Sequence, residues 1–219
     1  MKIIQPSVII FINEFDKRKL HNIEMFARIC YKSKISKNYS KEFLKTIIEK
    51  KHESVIEHEK ISVIFIVDRG ISNQIIRHRI ASYSQESTRY CNYSLDRFGD
   101  EIAVIEPFFF LKNTVIYDKW KFACKQCEDT YIELCKQHSP EEARTVLPNS
   151  LKTELATTYN FREWKHFFKQ RGSKHAHSQM RQVTIPLLLE FQKRIPVIFD
   201  DIEYDYNFNR EHYANIIEK

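Results

Sequence analysis

Apolar positions along the chain follow two periods, and each period predicts a different kind of element. Residues 7–12, SVIIFI, and residues 60–67, KISVIFIV, are short, β-branched and almost continuously apolar, which predicts two buried strands. Between them, IEMFARICY at 23–31 and YSKEFLKTIIEKK at 39–51 carry their apolar residues on one side. This spacing predicts two helices, the second of them capped by Ser40.

The segment after the second predicted strand changes character twice. Residues 68–70, Asp-Arg-Gly, are expected to end the strand. A helix is predicted to follow, with Ser72 as its N-cap and with three inward-facing side chains, Ile71, Ile75 and Ile76. Residues 80–94 are rich in Ser, Tyr and Asn and predict an ordered loop.

A long amphipathic helix is predicted over residues 115–138, where apolar side chains recur at helical spacing. Its two cysteines, Cys124 and Cys127, are expected to face the core. Ser139 then begins Ser-Pro-Glu-Glu, which has the cap, first-turn proline and early acids of a new helix running toward residues 147–148.

The last third of the chain is predicted to be mainly helical. One helix is expected over residues 150–170 with a break near Asn160, and another over 173–193 that Pro186 interrupts or kinks. Residues 200–210, DDIEYDYNFNR, are predicted to form a surface segment or a partner-contact tail. With no repeat, linker or low-complexity tract, the pattern predicts a single α/β domain over residues 1–219.

Composition adds a soluble, cytoplasmic expectation to this pattern. Apolar residues make up 42% of the 219 positions, which is enough to build a core. No run approaches the ~20 apolar residues that a membrane helix needs, and no signal peptide is recognised, so we expect no membrane partner. Five cysteines, an odd count, favour reduced thiols over a disulfide framework.

Charge and glycine content limit how a phosphate could be held. The net charge of +6 suits a nucleic acid, a nucleotide phosphate or solubility alone. Only three glycines occur, so neither a Walker loop nor a dinucleotide fingerprint is possible. If the protein binds a nucleotide, side chains must hold its phosphates.

The densest group of anion donors lies within thirteen positions, at Arg77, His78, Arg79, Ser87 and Arg89. Arginine keeps its charge and grips phosphate by paired hydrogen bonds, and a serine hydroxyl adds a donor without charge. A solvated basic helix end is the alternative interpretation of the same residues.

The order of these residues resembles the signature of the flavin-dependent thymidylate synthases, which is Arg-His-Arg, seven residues, then Ser. The resemblance covers most of the chain in the order and spacing of that family. It continues through five further blocks: FARICY at 26–31, HESVIEH at 52–58, ARTVLP at 143–148, YNFREWKHFFKQR at 159–171 and HAHSQMRQ at 175–182. A chance match to all of them is far less probable than a match to one short motif.

This resemblance implies a fold, a reaction and an assembly. The fold is α+β, a small sheet flanked by several long helices. The reaction is the methylation of dUMP to dTMP, with methylenetetrahydrofolate as carbon donor, reduced FAD as hydride source and NADPH as reductant. The assembly is a homotetramer whose active sites lie between subunits.

The resemblance also implies a substrate set. Arg171 matches the arginine that contacts the uracil ring and favours ionisation of its N3, so it is the expected catalytic residue. The residues implied to hold the rest of dUMP are Gln74, Arg77, Gln85, Glu86, Ser87, Thr88, Arg89 and Arg144. For Arg144 a surface salt bridge with Glu141 or a neighbour is the alternative.

A second set is implied for the flavin, namely Ser54, Arg77, His78, Arg79, Gln85, Asn160, Arg162 and His166. Arg162 and His166 are four positions apart, which places both on one helix face. His52 and His175 match positions near the flavin and folate sites. Where many relatives have Asn-Glu, this chain has Ser84-Gln85, and the neutral amide of Gln85 brings no negative charge.

Two rival interpretations concern thiol and metal chemistry. Cys124 and Cys127 form a single CxxC on an apolar helix face with no second pair, which favours a structural role over zinc or redox chemistry. The histidines at 52, 58, 175 and 177 suggest a metal site, but His-Ala-His on a helix would point its rings apart, so no metal is assigned.

A nucleic-acid-binding module is the strongest alternative, because the chain is basic and tyrosines interleave with arginines around residues 83–93. Such a module predicts a broad basic face. Here the donors fall in separate blocks divided by acidic stretches, which favours a small phosphorylated ligand and no nucleic acid.

Overall fold

Helices and strands alternate along the chain in a computed structural model that describes residues 1–34, 39–96 and 99–219. The mixed α/β class is as predicted. The strands are β1 (Lys2–Ile4), β2 (Ser7–Ile10), β3 (Lys60–Asp68), β4 (Ala81–Gln85), β5 (Ala103–Ile105), β6 (Lys152–Asn160) and β7 (Asn215–Glu218). The helices are α1 (Arg18–Tyr31), α2 (Lys41–Glu49), α3 (Arg69–Ile75), α4 (Val115–Leu134), α5 (Pro140–Ala143), α6 (Phe161–Arg171), α7 (Ser178–Arg194) and α8 (Pro196–Phe199).

The described residues divide into two compact units. Unit 1 contains Met1–Ser7, Phe65–Arg77 and Ser84–Leu155. Unit 2 contains Val8–Ile64, His78–Tyr83 and Ala156–Lys219. The single domain expected over the whole chain stays a prediction.

Two sheets organise the strands. The larger has the order β4-β6-β3-β2-β7, and the smaller pairs β1 with β5 in parallel, with Lys2 opposite Ala103. The two strands predicted from continuous apolar runs are β2 and β3. In β3 the burial alternates along the strand, with Ile61, Val63 and Phe65 all fully buried.

The predicted helices of the first half are present as α1 and α2. Helix α1 begins at Arg18, ahead of the predicted start, and α2 begins where predicted. The Ser40 hydroxyl accepts a hydrogen bond from the Phe43 N–H at 3.2 Å, which confirms the predicted cap.

The secondary structure predicted for the residues of β4 and β6 was wrong. Residues 152–160 form β6, not the first half of a helix, because KTELATTYN alternates buried and less buried positions with period two and is rich in Thr. The expected break near Asn160 is the point where β6 ends and α6 begins. Residues 81–85, expected in a loop, form β4.

The start of α3 also differs from the prediction. Its N-cap is Asp68, whose carboxylate accepts from the Ile71 N–H at 2.7 Å, whereas Ser72 lies inside the helix and is fully buried. Aspartate at the end of a strand thus caps the next helix directly. Of the three isoleucines expected inside, Ile76 is 40% exposed.

Helix α4 has the predicted amphipathic form. Cys124 is 3% exposed and faces the core of unit 1, as predicted, whereas Cys127 is half-buried. The predicted helix start at Ser139 is confirmed by a capping box with Glu142, which begins α5.

Helix α7 passes through Pro186 without the predicted interruption. A proline cannot donate to the carbonyl four residues earlier, which here belongs to Gln182. That carbonyl instead accepts from the Ala214 N–H at 2.9 Å. The C-terminal segment thus satisfies the acceptor that the proline leaves. The helix begins at Ser178, later than the predicted residue 173.

Residues 200–210, predicted to be a surface segment or a partner-contact tail, are mostly exposed, as expected of a surface segment. Ile202 is 1% exposed, and the Asp205 N–H donates to the Gly172 carbonyl at 2.9 Å. Tyr206 is 69% exposed. Within the described residues, every helix is too short or too polar to cross a membrane.

The aromatic core of unit 2 fixes helix α6. Trp164, Phe167 and Phe168 are fully buried on one face of α6, and Phe191 of α7 packs 5.0 Å from the ring centroids of both Trp164 and Phe168. The Trp164 indole N–H donates to the Ile61 carbonyl at 3.0 Å. Helical spacing then places Arg162, His166 and Lys169 on the exposed face of α6.

Replacing the helix cap Ser40→Ala should lower the free energy of unfolding by about 1 kcal/mol, because the Phe43 N–H loses its acceptor. Urea denaturation of the two proteins measures this. Thr46→Ala, on the exposed face of the same helix, is the control and should leave stability unchanged or slightly higher. Equal stability of Ser40→Ala and the parent protein would show that the cap contributes nothing.

Candidate active site

The exposed face of helix α6 lines a cavity of unit 2. Arg162, His166 and Lys169 are solvent-exposed along α6, with Asn160 at its N-terminus. The cavity has a volume of about 540 Å³. Its lining residues are Glu53, Glu57, Ile80, Asn160, Arg162, Glu163, Lys165, His166 and Lys169. Three residues of the expected flavin set therefore line one cavity.

His78 is held between two side chains of α6. Its Nδ1 lies 2.7 Å from Glu163 Oε1, and the Arg171 Nε–H donates to its Nε2 at 3.1 Å. An arginine N–H can only donate, so Nε2 carries the lone pair. The proton of the neutral ring is then on Nδ1 and is donated to the Glu163 carboxylate.

Burial favours the neutral form of this ring. His78 is 5% exposed, and desolvation lowers its pKa below the ordinary value. The hydrogen bond to Glu163 raises the pKa and the Arg171 charge lowers it, but the net direction is downward. A neutral imidazole agrees with the hydrogen-bond pattern.

Two tyrosines fix the backbone beside His78. The Tyr83 hydroxyl donates to the His78 carbonyl at 2.6 Å and lies 2.7 Å from the Tyr159 hydroxyl. Burial raises the pKa of Tyr83 to about 12, so it stays a protonated donor. His78 is therefore held at its backbone and at both ring nitrogens.

Arg162 meets carboxylates across the cavity wall. Its Nη1 is 2.5 Å from Glu57 Oε1, and its Nε is 3.8 Å from Glu53 Oε2. Arg162 is 53% exposed, so these pairs are solvated and weak. An anionic ligand can replace them at little cost. His166 lies beside His78, with their ring centroids 5.3 Å apart.

Asn160 has a structural task at the start of α6. Its side-chain oxygen accepts from the Glu163 N–H at 2.8 Å, which caps the helix. Its amide NH₂ is thus the part suited to a ligand.

In unit 1 two predicted arginines converge on Glu141. Arg89 Nε lies 2.8 Å from Glu141 Oε1, and Arg89 Nη2 donates to Oε2 at 3.3 Å. Arg144 Nε donates to the Glu141 carbonyl at 3.2 Å, and its Nη1 donates to the Thr88 hydroxyl at 3.4 Å. The side-chain salt bridge considered for Arg144 is made by Arg89 instead. A carboxylate occupies the guanidinium fork that the sequence assigned to a phosphate.

Gln85 and Glu86 are engaged inside unit 1. The Gln85 amide NH₂ donates to Ser72 Oγ at 2.9 Å and to Thr153 Oγ1 at 3.2 Å. Glu86 accepts from the Tyr93 hydroxyl at 2.8 Å and from Lys152 Nζ at 3.0 Å. Their expected ligand contacts stay predictions, and this geometry directs both side chains toward protein partners.

The remaining predicted residues have simple environments. Those that are exposed are Ser54, Arg77, Arg79 and His175. Gln74 is half-buried, and Ser87 Oγ accepts from the Arg89 N–H at 3.3 Å. His52, also exposed, places its Nδ1 2.7 Å from the Tyr31 hydroxyl.

Two polar residues of α6 were missed by the sequence analysis. Glu163 is 7% exposed and contacts His78; its position three residues after the cap Asn160 is a capping pattern that could have drawn attention to it. Lys165 is 1% exposed and donates to Asp201 at 2.9 Å. A lysine between buried aromatics was its only sequence signal.

The thiol and metal alternatives gain little from the structure. Burial raises the pKa of the Cys124 thiol, which suits a structural role. Residues 175–177 precede α7, so the premise that His175 and His177 lie on a helix was wrong; His177 caps α7 by accepting from the Gln179 N–H at 3.3 Å.

Comparison with known proteins shows the family of this chain. A family model described as "Thymidylate synthase complementing protein" matches residues 12–197. A flavin-dependent thymidylate synthase of Pyrococcus furiosus is 34% identical over 190 residues, which cover 82% of this chain and 77% of that relative.

Two solved structures share the fold. A UMP/dUMP methylase, PolB from Streptomyces cacaoi bound with 5-Br dUMP, has a TM-score of 0.74 at 17% identity and covers 91% of this chain and 96% of its own. The flavin-dependent thymidylate synthase ThyX from Helicobacter pylori, complexed with FAD and dUMP, has a TM-score of 0.69 at 22% identity, over 90% of this chain and 99% of its own. The family model spans most of the sequence, and the chain therefore belongs to the flavin-dependent thymidylate synthase family.

Proposed function

We propose that this protein methylates dUMP to dTMP with methylenetetrahydrofolate as carbon donor, reduced FAD as hydride source and NADPH as reductant. The observation that carries the proposal is that Asn160, Arg162 and His166 line one and the same cavity of unit 2. The family resemblance implies a flavin contact for each of these residues.

The cavity suits an anionic cofactor. Its volume of about 540 Å³ lies within the range of small-molecule sites. Arg162 and Lys169 are exposed on its wall and can donate to a pyrophosphate, with Arg162 exchanging its solvated carboxylate partners. When bound there, FAD supplies the two-electron chemistry that the side chains of this chain lack.

Arg171 is the residue proposed to act on the uracil ring. A guanidinium beside N3–H lowers the cost of a negative charge on the ring, which makes C5 more nucleophilic. Because the Arg171 Nε–H donates to His78 Nε2, the orientation of the guanidinium plane is fixed. No cysteine is needed as a nucleophile in this scheme, and Cys124 is buried.

Arg89 and Arg144 are proposed to hold the dUMP phosphate, with Gln74, Arg77 and the 85–88 segment completing the set. At Glu141 the Arg89 guanidinium pairs with the carboxylate and the Arg144 Nε–H donates to the backbone carbonyl, which supports the proposal that both arginines can reach one anion.

The proposed assembly is a cytoplasmic homotetramer with active sites between subunits. Exposed apolar side chains on and before α4 support an interface, since patches of this kind mark contact surfaces. They are Leu111 at 72%, Val115 at 69%, Ile116 at 56% and Phe122 at 66% exposed. Light scattering of the purified protein measures the mass of the assembly.

A nucleic-acid-binding module is the less favoured alternative. Cations that it would need are paired with carboxylates, as in Arg89 with Glu141 and Arg162 with Glu57. Strong salt-sensitive binding to long DNA without FAD would favour it.

Arg171→Ala should lower the kcat for dTMP formation by about 100-fold or more, because the ring loses its positioned cation. Formation of dTMP is measured with dUMP, methylenetetrahydrofolate, FAD and NADPH. Arg18→Ala is the matched control, since Arg18 is 89% exposed and pairs with Asp16. An unchanged kcat in Arg171→Ala would remove its assigned role, and no product from the parent protein would reject the activity.

Arg89→Ala should raise the KM for dUMP by about tenfold or more, the usual effect of losing a hydrogen bond to a charged group. Glu141→Gln should lower that KM, by no more than about fivefold, since an exposed ion pair is weak. Steady-state kinetics measures both, with Glu133→Gln on α4 as control. A higher KM in Glu141→Gln would contradict competition between the carboxylate and the phosphate.

A further inference from the structure

Glu163 is buried against His78, and neither the family signature nor the substrate set includes it. Glu163 is 7% exposed and His78 is 5% exposed. The Glu163 Oε1 to His78 Nδ1 distance is 2.7 Å, and the His78 Nε2 to Arg171 Nε distance is 3.1 Å. The Glu163 carboxylate, the His78 imidazole and the Arg171 guanidinium therefore form one continuous chain of hydrogen bonds, which we call the relay.

Only one arrangement of protons satisfies both contacts of a neutral ring. With the proton on Nδ1, His78 donates to the Glu163 carboxylate and its Nε2 accepts from Arg171. With the proton on Nε2, two N–H groups would face each other at the Arg171 contact, and Nδ1 would turn a lone pair toward a carboxylate. The partner of one ring nitrogen thus decides what the other nitrogen can do.

We propose that Glu163 is a positioning residue, which sets the tautomer of His78 so that His78 holds the Nε edge of Arg171. The plane of the guanidinium is thereby fixed where it meets the uracil ring. This inference rests on the proposed role of Arg171.

The geometry of α6 supports this assignment. Glu163 and Arg171 belong to the same helix, and the helix is locked by the buried rings of Trp164, Phe167 and Phe168. Tyr83 holds the backbone of His78 at 2.6 Å. Both ends of the relay and its middle are therefore fixed independently of a ligand, as preorganised catalytic geometry requires.

A metal ion is the alternative use of these residues. His78, Glu163 and His166 offer ligand atoms within 4.8 Å of one another. However, both ring nitrogens of His78 contact protein side chains, and one of those side chains is the Arg171 cation. A bound cation would have to displace one contact and accept the repulsion of the guanidinium.

The test compares two substitutions at one position. Glu163→Met keeps the length of the side chain but removes the acceptor, whereas Glu163→Gln keeps a neutral acceptor for the Nδ1–H. Nitrogen NMR of histidine-labelled protein reports which nitrogen of His78 carries the proton, and His78→Gln assigns the signal by its loss. Glu190→Met is the matched control, because Glu190 accepts from Arg194 Nε at 3.0 Å on α7, away from the relay.

We expect Nδ1–H in the parent protein and loss of that preference in Glu163→Met. The kcat for dTMP formation should fall by about 10- to 100-fold in Glu163→Met, the effect of a misplaced catalytic group, with a smaller change in the KM for dUMP. Glu163→Gln should keep most of the Nδ1–H preference and most of the kcat. Glu190→Met should match the parent protein in both.

Three results would overturn the inference. They are an Nε2–H ring in the parent protein, an unchanged Nδ1–H ring and kcat in Glu163→Met, or stoichiometric Zn²⁺ binding that Glu163→Met abolishes. If Glu163→Met does not fold, the inference is still tested by the tautomer of His78 in the parent protein and by the kcat of Glu163→Gln. Because the NMR signal does not depend on turnover, a parent protein with the expected tautomer but no activity would reject the proposed function alone.

Discussion

The hydrogen bond from Arg171 to His78 is the interaction on which the account of this site depends. It is 3.1 Å long and requires a lone pair on His78 Nε2, which a neutral ring has only when its proton lies on Nδ1. Burial lowers the pKa of His78, and the Glu163 carboxylate receives the proton. Solvation, tautomer and orientation are thus set by the protein before any ligand arrives.

The two faces of α6 explain how one helix serves both stability and chemistry. Its buried face packs Trp164 and Phe168 against Phe191, and burial of such rings contributes several kcal/mol. Its exposed face carries Arg162 and His166 into a cavity of unit 2. Because the helix cannot shift without losing its aromatic contacts, the polar face is held in place.

The sequence predicted the elements whose pattern is local. Continuous β-branched runs predicted β2 and β3, and a serine before an amphipathic run predicted the start of α2. It failed where tertiary contacts decide. In β6 the polar residues Thr153 and Thr157 are buried, and in α7 the Ala214 N–H satisfies the Gln182 carbonyl that Pro186 leaves without a donor.

The same division holds for the site. The motif at residues 159–171 predicted that Arg162 and His166 share one helix face, and both line one cavity together with Asn160. The contacts of Glu163 with His78 and of Arg89 with Glu141 could not be predicted, because each joins residues far apart in the sequence. Sequence patterns identify which residue types are available, and packing decides which atoms they contact.

Equilibrium binding determines whether the cavity beside α6 takes up FAD. Flavin fluorescence is followed as purified protein is titrated into FAD, for the parent chain and for Arg162→Ala with its fold checked by circular dichroism. We expect the parent chain to bind FAD and the affinity of the variant to be about tenfold weaker. Absence of binding by the parent chain, or equal affinity in both proteins, would contradict it.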